Sequence, residues 1–215
     1  MQRCLLVICL CLLLFGPAMV LDAQTVLPGR SAVGPERPEP VLPQPGGVIP
    51  DWQARLELAR LQSYVGDFRG SLDSYARVLA DQPDNLQVRL ERAKVLTWAD
   101  RHEEAWVELA SIPEDRLDTE SRLILADLHA ARQDYDKSLT ILAEHLQNAP
   151  DDHSSRLRMA EVLSWAGRYE QSLEQYATLL KVLPDDVQLR RKLAFVLSWA
   201  GKHDQAIREL QATLP

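Results

Sequence analysis

From residue 52 onward the apolar and polar positions of the chain recur with a period near 34. The stretch Leu163-Ser164-Trp165-Ala166-Gly167-Arg168-Tyr169 returns as Leu197-Ser198-Trp199-Ala200-Gly201-Lys202-His203 and, earlier, as Leu96-Thr97-Trp98-Ala99-Asp100-Arg101-His102. Weaker copies run from Gln62 to Phe68 and from His129 to Tyr135. A fixed period of this length predicts stacked helical hairpins. With the inter-helix glycine set as position 15, the repeats are 52–85, 86–118, 119–152, 153–186 and 187–215. In the first helix of each (helix A) positions 7, 8 and 11 form the apolar face. In the second (helix B) position 20 is small (Ser71, Ala105, Ser138, Ser172, Ala206) and position 24 is bulky (Tyr75, Leu109, Leu142, Tyr176, Leu210). Pro83, Pro150 and Pro184 stop helix B, and the Asp or Asn residues that follow, with Asp118 before the third repeat, are N-caps for the next helix A. The predicted fold is all-α, a solenoid of about five helix-turn-helix hairpins.

Three positions carry specific expectations. The small residue at position 20 should let helix B approach helix A closely. The aromatic or His at position 17 (Phe68, His102, Tyr135, Tyr169, His203) should plug the open end of the hairpin. Glycine at position 15 can take the left-handed conformation that closes helix A. Asp100 and Gln133 lack that freedom, which makes the second and third turns the weak points of the pattern. Position 4 is Arg in all five copies and falls on the apolar face of helix A, where a charge must be paired or must reach water. Arg89, Arg122, Arg156 and Arg190 are expected to point at the carbonyl end of a neighbouring helix B, with Arg55 the exception because no repeat precedes it. The alternative is a ladder of ligand-binding cations.

Positions 15, 17, 20, 24 and 32 resemble the tetratricopeptide repeat, over 51–215, with Arg rather than Trp at position 4 and Ala rather than Gly at position 8. The resemblance implies a concave surface built from the helix A faces that takes a peptide or protein. The family's carboxylate clamp of Lys and Asn at positions 2, 5, 6 and 9 is not reproduced; position 5 is Leu in four repeats. The Leu-[Ser/Thr]-Trp-Ala-Gly-[Arg/Lys] form is similar to repeats of bacterial exopolysaccharide synthesis and export proteins, such as the repeat-bearing component of cellulose synthase. That likeness implies a scaffold in an envelope complex.

The N-terminus adds a location. Cys4 to Phe15 is an unbroken apolar run after Arg3, broken by Gly16-Pro17 and followed by Ala23 before a candidate cut, the layout of a secretory signal peptide over 1–23. The protein is then expected to be exported and periplasmic. Retained, the 18 uncharged residues Cys4–Leu21 would instead anchor it to a membrane. All three cysteines lie in this segment, which leaves the processed chain without disulfides. Residues 24–50 hold seven of the thirteen prolines and read as a flexible linker. The net charge of −7 argues against a nucleic-acid partner.

No chemistry-bearing constellation emerges. The five histidines share no ligand spacing, there is no phosphate loop, and neither a metal nor a cofactor is expected. The protein reads as non-enzymatic. Its candidate partner-binding residues are Tyr64, Trp98, Trp165 and Trp199, all at position 13, roughly 160° from the apolar face of helix A. Two readings stand: the rings pack against the adjacent helix A, with Arg60 or Lys94 as a cation–π partner at i, i+4, or they form an aromatic stripe. The stripe would anchor a protein or stack on a polysaccharide, making the chain a scaffold or, alternatively, a direct carbohydrate-binding or assembly chaperone. The fifth repeat has no polar capping helix after it, so apolar groups including Leu210 and Leu214 should be exposed and open to stacking.

Overall fold

The computed structural model describes residues 48–214. The expected signal segment, 1–23, and most of the proline-rich linker lie outside the described residues. Ten α-helices follow in five hairpins: α1 (Asp51–Tyr64) with α2 (Phe68–Asp81), α3 (Leu86–Trp98) with α4 (His102–Ala110), α5 (Thr119–Ala131) with α6 (Tyr135–Asn148), α7 (His153–Trp165) with α8 (Tyr169–Val182), and α9 (Val187–Trp199) with α10 (His203–Gln211). The all-α solenoid of five hairpins is what the period predicted. Each helix packs on its hairpin partner and on the next helix in the chain.

The starts of the A helices are written in single residues. Asn85 accepts from the Val88 amide, Asp118 from Ser121, Asp152 from Ser154 and Ser155, and Asp186 from Leu189, each supplying an acceptor to amides that have no intrahelical partner. Asp152 is the most heavily used, taking both serine amides, both serine hydroxyls and the His145 ring. Burial by itself would raise its pKa, but these hydrogen bonds hold it well below the usual carboxylate range.

Within a hairpin the contact is set by alanine at position 8 against the small residue at position 20. Ala59, Ala93, Ala126, Ala160 and Ala194 are fully buried, and so are Ser71, Ala105, Ser138 and Ser172. Where position 20 is Ser, its hydroxyl can add a bond across the crossing: Ser71 Oγ donates to the Ala59 carbonyl at 2.8 Å and Ser172 Oγ to the Ala160 carbonyl at 2.7 Å. Position 24 fills the space beside this crossing, with Tyr75, Leu109, Leu142 and Tyr176 at most 2% exposed. Position 17 is less buried than expected. Phe68, Tyr135 and Tyr169 are half-buried edges of the core, and His203 is exposed. Of the leucines at position 5, Leu56 and Leu90 are buried in the core, and Leu123 and Leu157 are partly buried against it.

All five position-15 residues take the left-handed conformation, including Asp100 (φ 58°) and Gln133 (φ 63°). The second and third turns therefore close like the glycine turns, because the reverse of direction needs that φ whatever the side chain. Entering the left-handed region costs a non-glycine residue about 1–2 kcal/mol. Gln133→Gly should then stabilise the protein by about 1 kcal/mol, after the extra freedom glycine gains when unfolded. A higher thermal midpoint checks it; a lower one contradicts it.

The second hairpin departs from the pattern. Helix α4 has nine residues against fourteen in α2, α6 and α8. Its place is completed by an irregular segment with a single 3-10 turn, Glu114–Arg116. Ile112 and Leu117, both buried, fill the gap left by the missing helical turns.

Candidate functional site

The surface formed by the A helices carries a ladder of ion pairs that the sequence reading missed. Position 9 of one helix A meets position 6 of the next. Arg60 of α1 binds Glu91 of α3 through two hydrogen bonds of 2.9 and 2.7 Å. Asp127 of α5 lies 3.3 Å from Arg158 of α7, and Glu161 of α7 pairs with Lys192 of α9. Between α3 and α5 position 6 is Ile124, so Lys94 reaches further, to Asp118 at 3.1 Å and Glu120 at 2.6 Å. The signal was available: charges of opposite sign sit 31 residues apart in three of the four steps.

Burial makes these pairs matter. Glu161 is 6% exposed. Burial would raise the pKa of Glu91, but hydrogen bonds from Arg60, Gln87 and the Tyr75 hydroxyl, with the Arg60 charge, hold it below its ordinary value. Asp127 goes the other way. Its burial, reinforced by Glu161, outweighs the attraction of Arg158 and pushes its pKa up to about 6. A carboxyl whose pKa is raised on folding binds protons more readily in the native state, so its ionisation costs stability as pH rises from about 4 to about 6. Asp127→Asn should flatten that part of the stability–pH profile, measured as thermal midpoint against pH; an unchanged slope would contradict it.

The four aromatic candidates occupy equivalent places, each the last residue of an A helix: Tyr64 in α1, Trp98 in α3, Trp165 in α7 and Trp199 in α9. The third repeat interrupts the series with Ala131. Tyr64 and Trp199 are each 55% exposed. Trp98 packs partly against the core of the first three hairpins, and Trp165 against the cluster of Ala126, Ala130, Leu139, Leu142, Val162 and Leu163. Trp199 has a neighbour that was not foreseen. Phe195, at position 9 where the other repeats place a charge, is 56% exposed, with its ring centroid 6.4 Å from that of Trp199. Arg60 and Lys94, the expected cation–π partners, bind carboxylates in the ladder. A cation–π contact forms elsewhere, with the Arg132 guanidinium 4.2 Å from the Trp106 ring centroid.

The position-4 arginines divide. Arg156 donates to the Pro150 carbonyl at 2.8 Å and Arg190 to the Pro184 carbonyl at 2.8 and 3.1 Å, the helix-end acceptors expected. Both also reach position 23 of their own hairpin, Gln175 and Glu209. Arg89 uses position 23 instead, binding Glu108 at 2.9 Å, and the Ser111 hydroxyl. Arg55 pairs with Asp81. Arg122 contradicts the expectation: it is exposed, and its guanidinium makes no hydrogen bond or ion pair among the described residues. Position 23 of its hairpin is Ile141, and the helix before it, α4, ends early at Ala110 and is followed by the irregular 3-10 segment.

Among the described residues no group of three or more His, Cys, Asp or Glu is placed to hold a metal ion. No described helix is long and apolar enough to cross a membrane.

Two tetratricopeptide-repeat family models match, one over residues 56–111 and one over 129–191, more than half of the chain between them. The chain is a tetratricopeptide-repeat protein. Crystal structures share its fold. That of MamA superposes with a TM-score of 0.64 at 17% identity, covering 76% of this chain and 90% of MamA. That of YrrB, described as a tetratricopeptide-repeat protein with an unusual peptide-binding site, gives 0.63 at 14% identity, covering 76% of this chain and 84% of YrrB. A tetratricopeptide-repeat protein from Parabacteroides merdae ATCC 43184 gives 0.62 at 20% identity, covering 75% of this chain and 63% of its own. No curated protein matches the sequence. As in other repeat solenoids, each tetratricopeptide repeat here touches its neighbours in the chain, and the ladder runs along one face of that stack.

Proposed function

We propose that this tetratricopeptide-repeat protein is a non-enzymatic, exported scaffold that binds a protein partner on its helix A surface through aromatic anchors, in an envelope complex for exopolysaccharide synthesis or export. The observation that carries the binding mode is the ladder. Glu57, Arg60, Glu91, Lys94, Asp127, Arg158, Glu161 and Lys192 are all paired within the solenoid, so the charges of this face are already neutralised. The large apolar groups left exposed at the ends of this face are Tyr64 at one and Phe195 and Trp199 at the other. Such a face favours a partner offering apolar side chains rather than a charged tail. YrrB, which shares the fold, is described as a peptide binder. Export is supported by the apolar run at Cys4–Phe15, and the exopolysaccharide setting by the form of the Trp98, Trp165 and Trp199 turns.

The test uses immobilised wild-type protein and its Trp199→Ala variant, exposed to envelope extract of the native host at low and high salt. Wild type should retain the same protein at both salt concentrations, because no rung of the ladder is free to contribute. Trp199→Ala should lose that protein while its melting is nearly unchanged. Retention that vanishes in salt, or that survives the substitution, would contradict the proposal. The paired, exposed rings of Phe195 and Trp199 also suit a sugar face, and direct glycan binding is the second reading. Saturable quenching of Trp199 fluorescence by soluble β-glucan oligomers would favour it; no response would leave protein recognition.

A further inference from the structure

The irregular second hairpin leaves a cleft of about 600 Å³ between its 3-10 turn and the start of α5 and end of α6. This cleft is separate from the aromatic series, which sits at the opposite, C-terminal ends of the A helices. Arg122 lines it. Of the five position-4 arginines, the other four are held by a carboxylate, an amide oxygen or a backbone carbonyl. Arg122 has none of these, because Ile141 replaces the acceptor at position 23 and the preceding helix ends early. Leu123 and Ile141 are partly exposed in the wall. Around them stand Glu114, Asp115 and Glu144, all exposed and none paired with Arg122.

From this arrangement we infer that the cleft is a second peptide-binding site, for a segment that ends in an apolar residue bearing a free carboxylate and is preceded by lysines. The guanidinium fork of Arg122 takes the carboxylate through two parallel hydrogen bonds. Leu123 and Ile141 receive the apolar side chain. The three carboxylates attract the basic residues and repel a wholly acidic chain, so the charge pattern selects a zwitterionic end over a simple anion.

The probe is a fluorescein-labelled pentapeptide of two lysines, one alanine and two leucines with a free C-terminal carboxylate, titrated by anisotropy against the protein. Its binding is expected to saturate below about 1 mM, and to weaken at least about tenfold when the terminus is amidated or in the Arg122→Gln variant. Replacing the two lysines by glutamates should weaken it similarly. Because Arg122 has no partner, its substitution should leave the thermal midpoint unchanged, which keeps loss of binding distinct from loss of fold. In the labelled protein, amide shifts on binding should centre on Arg122 and Ile141. Absence of saturation, equal binding of the amidated peptide, or shifts centred on Trp199 would each overturn the inference. The last of these would leave the helix A surface as the site of this peptide.

Discussion

Tyr176→Ala is expected to cost about 3–5 kcal/mol, the range for deleting a fully buried large aromatic side chain. Tyr176 is 2% exposed and sits at the centre of the cluster formed with Ala160, Leu179, Leu189 and Val196, which joins the fourth hairpin to the fifth. The void would open between α7, α8 and α9, and alanine at position 8 cannot expand to fill it. Burial also keeps the Tyr176 phenol from ionising in the ordinary range, consistent with a dry site. Tyr169, only seven residues earlier in the same helix, is half-buried, and Tyr169→Ala should cost about 1–2 kcal/mol. Urea denaturation of the two variants measures the difference. Because each repeat contacts its neighbours, the loss should be concentrated in α7–α10, seen as faster amide exchange there with α1–α4 little changed. Equal costs for the two tyrosines would mean that the core is not centred on position 24.

Glu91→Ala is the second large effect, at about 3 kcal/mol, the lower end for removing one partner of a buried ion pair, since its side chain is 15% exposed and that of Arg60 17%. The change orphans more than one group. Arg60 loses both hydrogen bonds, and the Tyr75 hydroxyl and the Gln87 amide lose their acceptor. The cost comes mainly from leaving Arg60 charged and unpaired, so Arg60→Ala combined with Glu91→Ala should recover part of the loss. A double variant as unstable as the sum of the single ones would show that the pair is not coupled. Acid should reproduce the effect in the wild type. Glu91 has a folded pKa below its unfolded value, so its contribution is present above about pH 4.5 and is lost as pH falls through the folded value. Asp118 and Asp152 are lowered likewise and add to the same acid limb.

Much of the fold was legible because the features that build it are local. A proline, a capping Asp or Asn and a small residue at position 20 act within one hairpin, and a period of 34 shows them five times over. The burial of position 24 followed from the same spacing. The less legible features depend on what stands across the next repeat. The depth of position 17 is set by neighbouring hairpins, and only the structure shows Tyr169 at the rim and Tyr176 in the centre. Asp100 and Gln133 adopt a conformation their side chains disfavour because the two packed helices of their own hairpin require the turn. Arg122 follows the sequence rule for position 4 and fails it in space, since its acceptors were removed by Ile141 and by the short α4. At the candidate surface the aromatic positions could be named from sequence. That the charges between them are consumed by their neighbours, and that Phe195 joins Trp199, needed the packing of one helix A on the next.

The central claim is that a protein partner docks on the helix A surface at its exposed aromatic end. The most direct measurement places a photo-crosslinking residue at Phe195, beside Trp199, and separately at Val107, an exposed residue on helix α4, in the full chain expressed in its native host. After irradiation, one discrete protein adduct is expected from position 195, absent when Trp199→Ala is also present, and none from position 107. Adducts from both positions, or an adduct at 195 that Trp199→Ala does not remove, would contradict the claim.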